Sequence, residues 1–564
     1  MGRRLGAAGR LALAALATVA CALLLAACSD SPDVAPTTGA ADPDAKVQTF
    51  APSKGSPKET LKIASGSENK EAASAIQKAV DASGVAVELH YMGSLDIMAA
   101  LQAGGEDYDA VWPASSIWIS MGDTGHLVKD VKSTSTTPVV LGVEKGLAQK
   151  LGWADASGAT KPVSTSQVID VVGAGQLSFA MTSATQSNSG ASAYLAFLTA
   201  LSGKDTPITS TELNDPTLQQ KVTSLLSGVD RSSGSSDWLK DMVVKDPDAH
   251  PAMFNYESLV IQANKELEEQ GHDPLLVVYP SDGIAVSDSP LGYVDRGQGK
   301  DDAFSSFQQG LSSDDAKLEL ERVGRRTGLG GRVANADDDQ VKQAFRADWG
   351  VNTDASVLKT VPMPAADVTT QALNLYQTKF RKPSLTIWVV DYSGSMSGEG
   401  KRGVVDGLTQ ALDPTEAAKS MVQPTDDDDN LFIPFSDHVI TGVAARGQDT
   451  QVILTKAQET DATGGTNIYA GLEQALSFAT TSDEAKGRTV AIVLMTDGRS
   501  MTNDKDEFFE SYRSSGTNVP IFSIMFADAD PSQLDELSEL SNGKTFDGRD
   551  GDLASVFRTV RGYN

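Results

Sequence analysis

Five oxygen-bearing side chains in this chain are of the right types to share one ion. Asp391, Ser393 and Ser395 alternate in "DYSGSM", directly after the apolar run "LTIWVV". Alternate residues of an extended segment point the same way, so one carboxylate and two hydroxyls converge. Thr466, in "TGGTNIYAGL", adds a hydroxyl where glycines let the backbone approach just before a helix, and Asp497, in "LMTDG", adds a second carboxylate. All five are hard oxygen donors, which suit Mg²⁺, Ca²⁺ or Mn²⁺ rather than zinc.

Segments this far apart along the chain meet only if a sheet gathers them. The runs "LTIWVVD", "NLFIPFS", "RTVAIVLMTDG" and "VPIFSIMFA" read as strands, three of them apolar enough to be covered on both faces. Helical stretches such as "NIYAGLEQALSFA" and "PSQLDELSEL" lie between them. Open sheets of this kind bind ligands beyond the carboxyl ends of their strands, where Asp391 and Asp497 fall. The three segments "DYSGSM", "GGTNI" and "TDG", in this order, resemble the metal-ion-dependent adhesion site of von Willebrand factor A domains, over residues 383–564. The resemblance implies a Rossmann-like, doubly wound fold. It implies Ser393, Ser395 and Thr466 as direct or near-direct metal ligands, with Asp391 and Asp497 acting through water or as surrounding acceptors. It also implies a protein partner whose Glu or Asp fills the ion's open position. The run "DDDD", Asp426 to Asp429, reads as a solvated loop and His438 as a surface residue.

Upstream, residues 59–355 alternate short apolar strands ("TLKIAS", "VAVELHYM", "YDAVWPA") with amphipathic helices, the order of a parallel α/β sheet. Their strand ends carry hydroxyls and glycines in "SGSE", "GSLD", "PASS" and "TSATQSNSG". Such loops either cap helices or leave backbone N–H groups for a polar ligand, and four of them in one body point to the ligand. With "FNYESLV", "GIAVSDSPLGYV" and the late helical "AFSSFQQGLSSDDAKLELERVG", this part resembles the type II bacterial solute-binding proteins, extracytoplasmic receptors of ABC importers. The resemblance implies a two-lobed, periplasmic-binding-protein-like body closing on a small solute, with Ser65, Ser67, Ser94, Ser115, Ser187, Ser189 and Glu257 as cleft candidates by position. Residues 356–382 read as a connecting helix and linker.

The chain has 564 residues, enough for two or three domains, and a formal net charge of -28, which disfavours nucleic acid. Residues 1–28 have a basic start and a long apolar run, a secretory signal. The run ends in "LAAC", which resembles the lipobox of bacterial lipoproteins and implies a diacylglycerol on Cys28. The other cysteine, Cys21, leaves with the leader, so no thiol remains for catalysis or a disulfide. Residues 29–58, rich in Pro, Ala, Thr, Asp and Ser, read as a flexible tether.

The expectation is a non-enzymatic lipoprotein on the extracytoplasmic face of the bacterial membrane, displaying a solute-binding-like body and a metal-dependent protein-binding body. Its competitor is the receptor subunit of an ABC importer with an accessory A domain. A hydrolase would need a general base, and the motif loops offer no His, Lys or Glu. Cys28→Ser is expected to move the protein from the membrane pellet to the soluble fraction after ultracentrifugation; continued sedimentation would point to an uncleaved anchor.

Overall fold

The apolar runs are gathered into three six-stranded sheets in a computed structural model that describes residues 46–500, 502, 504–526, 529–549 and 553–563. The leader, Cys28 and the tether as far as residue 45 lie outside the described residues.

The chain first lays down Val47–Phe50 (β1), Thr60–Gly66 (β2), Ala86–Met92 (β3), Ala110–Trp112 (β4) and Val128–Ser133 (β5). It then crosses to a second sheet of Thr137–Glu144 (β6), Phe179–Thr182 (β7), Val229–Ser233 (β8), Ala252–Tyr256 (β9), Leu275–Val278 (β10) and Val286–Ser287 (β11). Pro290–Val294 (β12) returns to lie between β4 and β5, giving the order β1-β3-β2-β4-β12-β5. Each sheet has its own core, so the body is two-lobed, as expected. In the first lobe Leu61, Ile63, Val87 and Leu89 pack against Ile76, Phe304, Phe307 and Leu320. In the second, the helix Asn188–Ser202 is buried almost all round.

Two expected boundaries shift. The tether does not reach 58, because β1 pairs antiparallel with β3 and buries Phe50 in the first core. Its four residues alternate exposed and buried, the period of a half-covered strand. The segment expected to connect the bodies is helical, at Ala366–Leu375, but it is part of the second lobe: Val368, Ala372, Leu373, Tyr376 and Phe380 join that core, and Tyr194 Oη donates to the Ala372 carbonyl (2.8 Å).

The third sheet comprises Ser384–Asp391 (β13), Asp429–Phe435 (β14), Val443–Arg446 (β15), Thr489–Thr496 (β16), Ile521–Met525 (β17) and Lys544–Asp547 (β18), in the order β15-β14-β13-β16-β17-β18. Only β15 runs antiparallel to its neighbour. All of β13 is buried. Trp388 and Val390 face Val404, Leu408 and Phe557, while Leu385, Ile387 and Val389 face Ile468, Leu472 and Leu534. Helices on both faces make the sheet doubly wound.

This sheet docks on the second lobe through β8. Arg231 donates to the carbonyls of Asn542 (2.7 Å) and Asn518 (3.4 Å), and Trp238 meets Tyr563 edge-on at 4.7 Å.

The acidic run departs from its expected solvated state. Asp426 and Asp427 are exposed, but Asp428 is fully buried. It forms a bidentate pair with Arg381 and accepts from Ser384 N–H (2.8 Å), Ser384 Oγ (3.0 Å) and Thr425 N–H (2.7 Å). The carboxylate thereby anchors the first residue of β13. Burial alone would raise its pKa, but the Arg381 and Arg561 charges hold it down at about 2. A lowered folded-state pKa means stability that is present above the usual value of 3.8 and lost as pH falls through about 2. Asp428→Ala leaves buried arginines without a counter-charge and should destabilise by about 3–5 kcal/mol in urea unfolding. Asp428→Asn should flatten the acid-unfolding profile below pH 4.

Candidate functional site

The carboxyl ends of β13 and β16 lie side by side, so Asp391, the last residue of β13, and Asp497, just after β16, share one rim. Asp391 is 1 % exposed. Its Oδ1 accepts Ser393 N–H (2.7 Å) and its Oδ2 accepts Thr496 Oγ1 (2.6 Å). Ser393 Oγ lies 3.1 Å from Ser395 Oγ, and Ser395 Oγ donates to Asp497 Oδ1 (2.9 Å).

Thr466 reaches the same place through two backbone clasps: Thr463 N–H donates to the Tyr392 carbonyl (2.8 Å) and Gly394 N–H to the Gly464 carbonyl (3.0 Å). Gly464 takes a left-handed φ of +87°, open to glycine at little cost. Asn467 then caps the helix Ile468–Thr481, accepting Ala470 N–H (3.2 Å). Gly471 lets that helix lie close on the sheet, since a Cβ there would come within 2.7 Å of Val389 Cγ1. Thr466 Oγ1 ends beside Gly498, 3.2 Å from where a Cβ would stand.

All five residues read from the sequence therefore meet at one rim. The sequence reading missed Thr496, whose hydroxyl fixes the Asp391 carboxylate; its signal was its place directly before Asp497 at the end of an apolar strand. Burial is the largest influence on Asp391 and raises its pKa; hydrogen bonds from Thr496 and Ser393 lower it, and the like charge of Asp497 raises it again. Ser395 is exposed and Thr466 half-buried, so the rim is a set of two carboxylates and three hydroxyls open on one side. Such a set can hold a hard divalent cation, whose charge would offset that of the two neighbouring acids.

The lobe candidates are brought together less completely. Ser67 Oγ, in the first lobe, lies 3.3 Å from Ser235 Oγ in the second, and Trp118 Nε1 donates across the seam to Asn188 Oδ1 (2.6 Å). Ser65 is buried and accepts from Asn69 (3.0 Å). Ser94 accepts Ala114 N–H (3.1 Å), and Ser115 caps the helix Ser116–Gly122. Ser187 and Ser189 both bond Ser236, at 3.0 and 2.7 Å. These hydroxyls serve their own lobes.

Glu257 is corrected outright as a cleft residue. It is fully buried and its carboxylate takes Arg326 through Nε (2.8 Å) and NH2 (2.7 Å) and also Tyr279 Oη (2.9 Å). Both oxygens are engaged inside the second lobe. The sequence could not reveal this, because Arg326 lies far downstream. Glu68, Asp237 and Tyr256 at the seam were missed in the same reading.

A family model described as bacterial extracellular solute-binding protein matches residues 61–326, and one described as von Willebrand factor type A domain matches residues 386–546. Among solved structures the chain is similar to the periplasmic binding protein AfuA from Actinobacillus pleuropneumoniae, at 14% identity over 57% of this chain and 98% of that one, with a TM-score of 0.43. It is similar to the sulfate-binding protein SubI from Mycobacterium tuberculosis at 18% identity, over 52% of this chain and 96% of that one, with a TM-score of 0.38. A von Willebrand factor type A protein from Catenulispora acidiphila is similar at 19% identity over 33% of this chain, which spans 43% of that structure, with a TM-score of 0.28. No curated protein matches. The chain joins a bacterial extracellular solute-binding-protein domain to a C-terminal von Willebrand factor type A domain.

Proposed function

We propose that this is a non-enzymatic, lipid-anchored binding protein of the extracytoplasmic membrane face, which grips a partner protein through a divalent cation at its A domain and takes a small solute between its lobes. One observation supports the first part above all: the convergence at one rim of Asp391, Ser393, Ser395, Thr466 and Asp497, linked by Ser393–Ser395 and Ser395–Asp497 contacts of 3.1 and 2.9 Å. The solute-binding domain supports the second part and a place outside the cytoplasm. The anchor is read from "LAAC" and Cys28.

The donor set suits Mg²⁺ best among common cell cations, with Ca²⁺ or Mn²⁺ as substitutes. Ser393, Ser395 and Thr466 would bind it directly, and Asp391 and Asp497 through water or as acceptors. When bound, the ion supplies an electrophilic position for a carboxylate from the partner. The chain's own residues do the positioning: Thr496 and the Ser393 N–H hold Asp391 still, and the clasp between Gly394 and Gly464 keeps the hydroxyl loops in register. Ser395, being exposed, leaves the rim reachable by a protein-sized partner.

Titrating Mg²⁺ into the metal-stripped protein should raise the melting temperature of the A domain by about 5–10 °C at a hundredfold excess over Kd. Asp391→Ala should abolish the rise. A wild-type curve that does not move would end the metal reading.

A further inference from the structure

We propose that the seam between the two lobes is built for a solute carrying a protonated amine, with the Glu68 carboxylate as its anchor and Asp237 of the opposite lobe as a second acidic group. The proposal deepens the reading of the lobes as a solute cleft and rests on it.

Glu68 follows the carboxyl end of β2, in the turn Ser67–Ala72. It is 7 % exposed, and its Oε1 is buried without a hydrogen-bond partner. The carboxylate folds over Gly66, where a Cβ would come within 2.1 Å of Oε1, so the glycine makes room for it. One turn on, Glu71 gives Oε1 to Arg325 Nε (2.8 Å), while its Oε2 is likewise without a partner. Across the seam Ser235 approaches Ser67, and half-buried Asp237 follows in the helix Ser236–Lys245.

The nearby cations are already engaged. Arg325 turns its remaining nitrogens to Asn69 Oδ1 (2.9 Å) and the Glu68 carbonyl (2.7 Å). Lys70 lies over the Tyr91 ring at 5.3 Å and its charge also acts on Asp237, and Lys265, whose charge reaches Glu71, donates to the Arg322 carbonyl (3.1 Å). Lys240 pairs with Asp241 and with Glu266 (2.7 Å). An oxyanion entering here would meet the carboxyls of Glu68 and Asp237. An ammonium group brings one charge and up to three N–H donors, matching the open oxygens of Glu68 and Glu71 and the flanking hydroxyls.

Titration follows the same geometry. Burial pushes Glu68 up to about 7; Arg325 and its own backbone N–H oppose this, and Glu71 and Asp237 add to it. Tyr256, from β9, also faces Glu68. Because the solute-free carboxyl takes up a proton near pH 7, amine affinity should weaken as pH falls from 8 to 6.

The test is isothermal titration of the full chain in detergent with putrescine, L-lysine and choline, and separately with sulfate and phosphate. Putrescine or lysine should bind, and choline, which has no N–H, about tenfold more weakly or worse. Sulfate and phosphate should give no heat. Glu68→Gln keeps the side chain's shape and removes a buried charge, so it should fold, and it should lose about tenfold or more in amine affinity. Binding of sulfate or phosphate would overturn the amine assignment while upholding a solute cleft. Undiminished amine binding by Glu68→Gln would also overturn it. Silence toward every probe would sink both the assignment and the cleft.

Discussion

A carboxylate taken out of water has to be matched by positive charge or hydrogen-bond donors, and this requirement organises the molecule. Three buried acids meet it through arginine. Asp428 with Arg381 fixes the start of the central A-domain strand. Glu257 with Arg326 fixes the second lobe, and Glu71 with Arg325 ties the first lobe to the same arginine dipeptide. Adjacent residues thus reach into different lobes, and the seam between the lobes is held where the chain passes from one to the other. Asp391 and Glu68 are matched differently. Asp391 has hydroxyl and amide donors with a like charge beside it, and Glu68 has an oxygen with no donor at all. Perturbed acids of this second kind mark binding sites more often than structural anchors.

The docking of the A domain gives these sites a shared frame. Arg231, Trp238 and Ser232 hold the C-terminal helix Leu553–Gly562 and the β17 side of the third sheet against the second lobe. Gln186, in the "TSATQSNSG" turn, lies at a junction. Its carbonyl sits where a Cβ on Gly93 of the first lobe would be 2.7 Å away, and its side chain fills the space beside Gly562. The second lobe and the A domain therefore share packed surface on β8 and this turn, while the first lobe meets the second through polar contacts such as Ser67–Ser235 and through Leu95, Met98 and Trp118, which join the second lobe's core.

What was legible in the sequence follows from how each element is buried. β13 and β16 are covered on both faces and so appear as unbroken apolar runs ending in acids, which made the rim readable down to five residues. β15 and β18 are short edge strands with only one buried residue each, and nothing in their composition separates them from loops. β1 was hidden inside a Pro- and Ser-rich segment, although its exposed-buried alternation is that of a strand. The acids were the hardest to judge. Composition made "DDDD" look solvated and Glu257 look available, because their arginine partners are distant in sequence and only the fold brings them near.

The two candidate sites differ in access, and access sets the size of what each can hold. At the A-domain rim the buried carboxylate lies beneath hydroxyls of which Ser395 is exposed, so a large partner can bring a side chain to the rim without any rearrangement of the sheet. At the seam the open Glu68 oxygen has no solvent contact and faces the opposite lobe. A ligand would reach it through a parting of the lobes, which the Ser67–Ser235 contact bridges at 3.3 Å. Burial thus leaves one acid within reach of a protein-sized surface and the other within reach only of a small ligand.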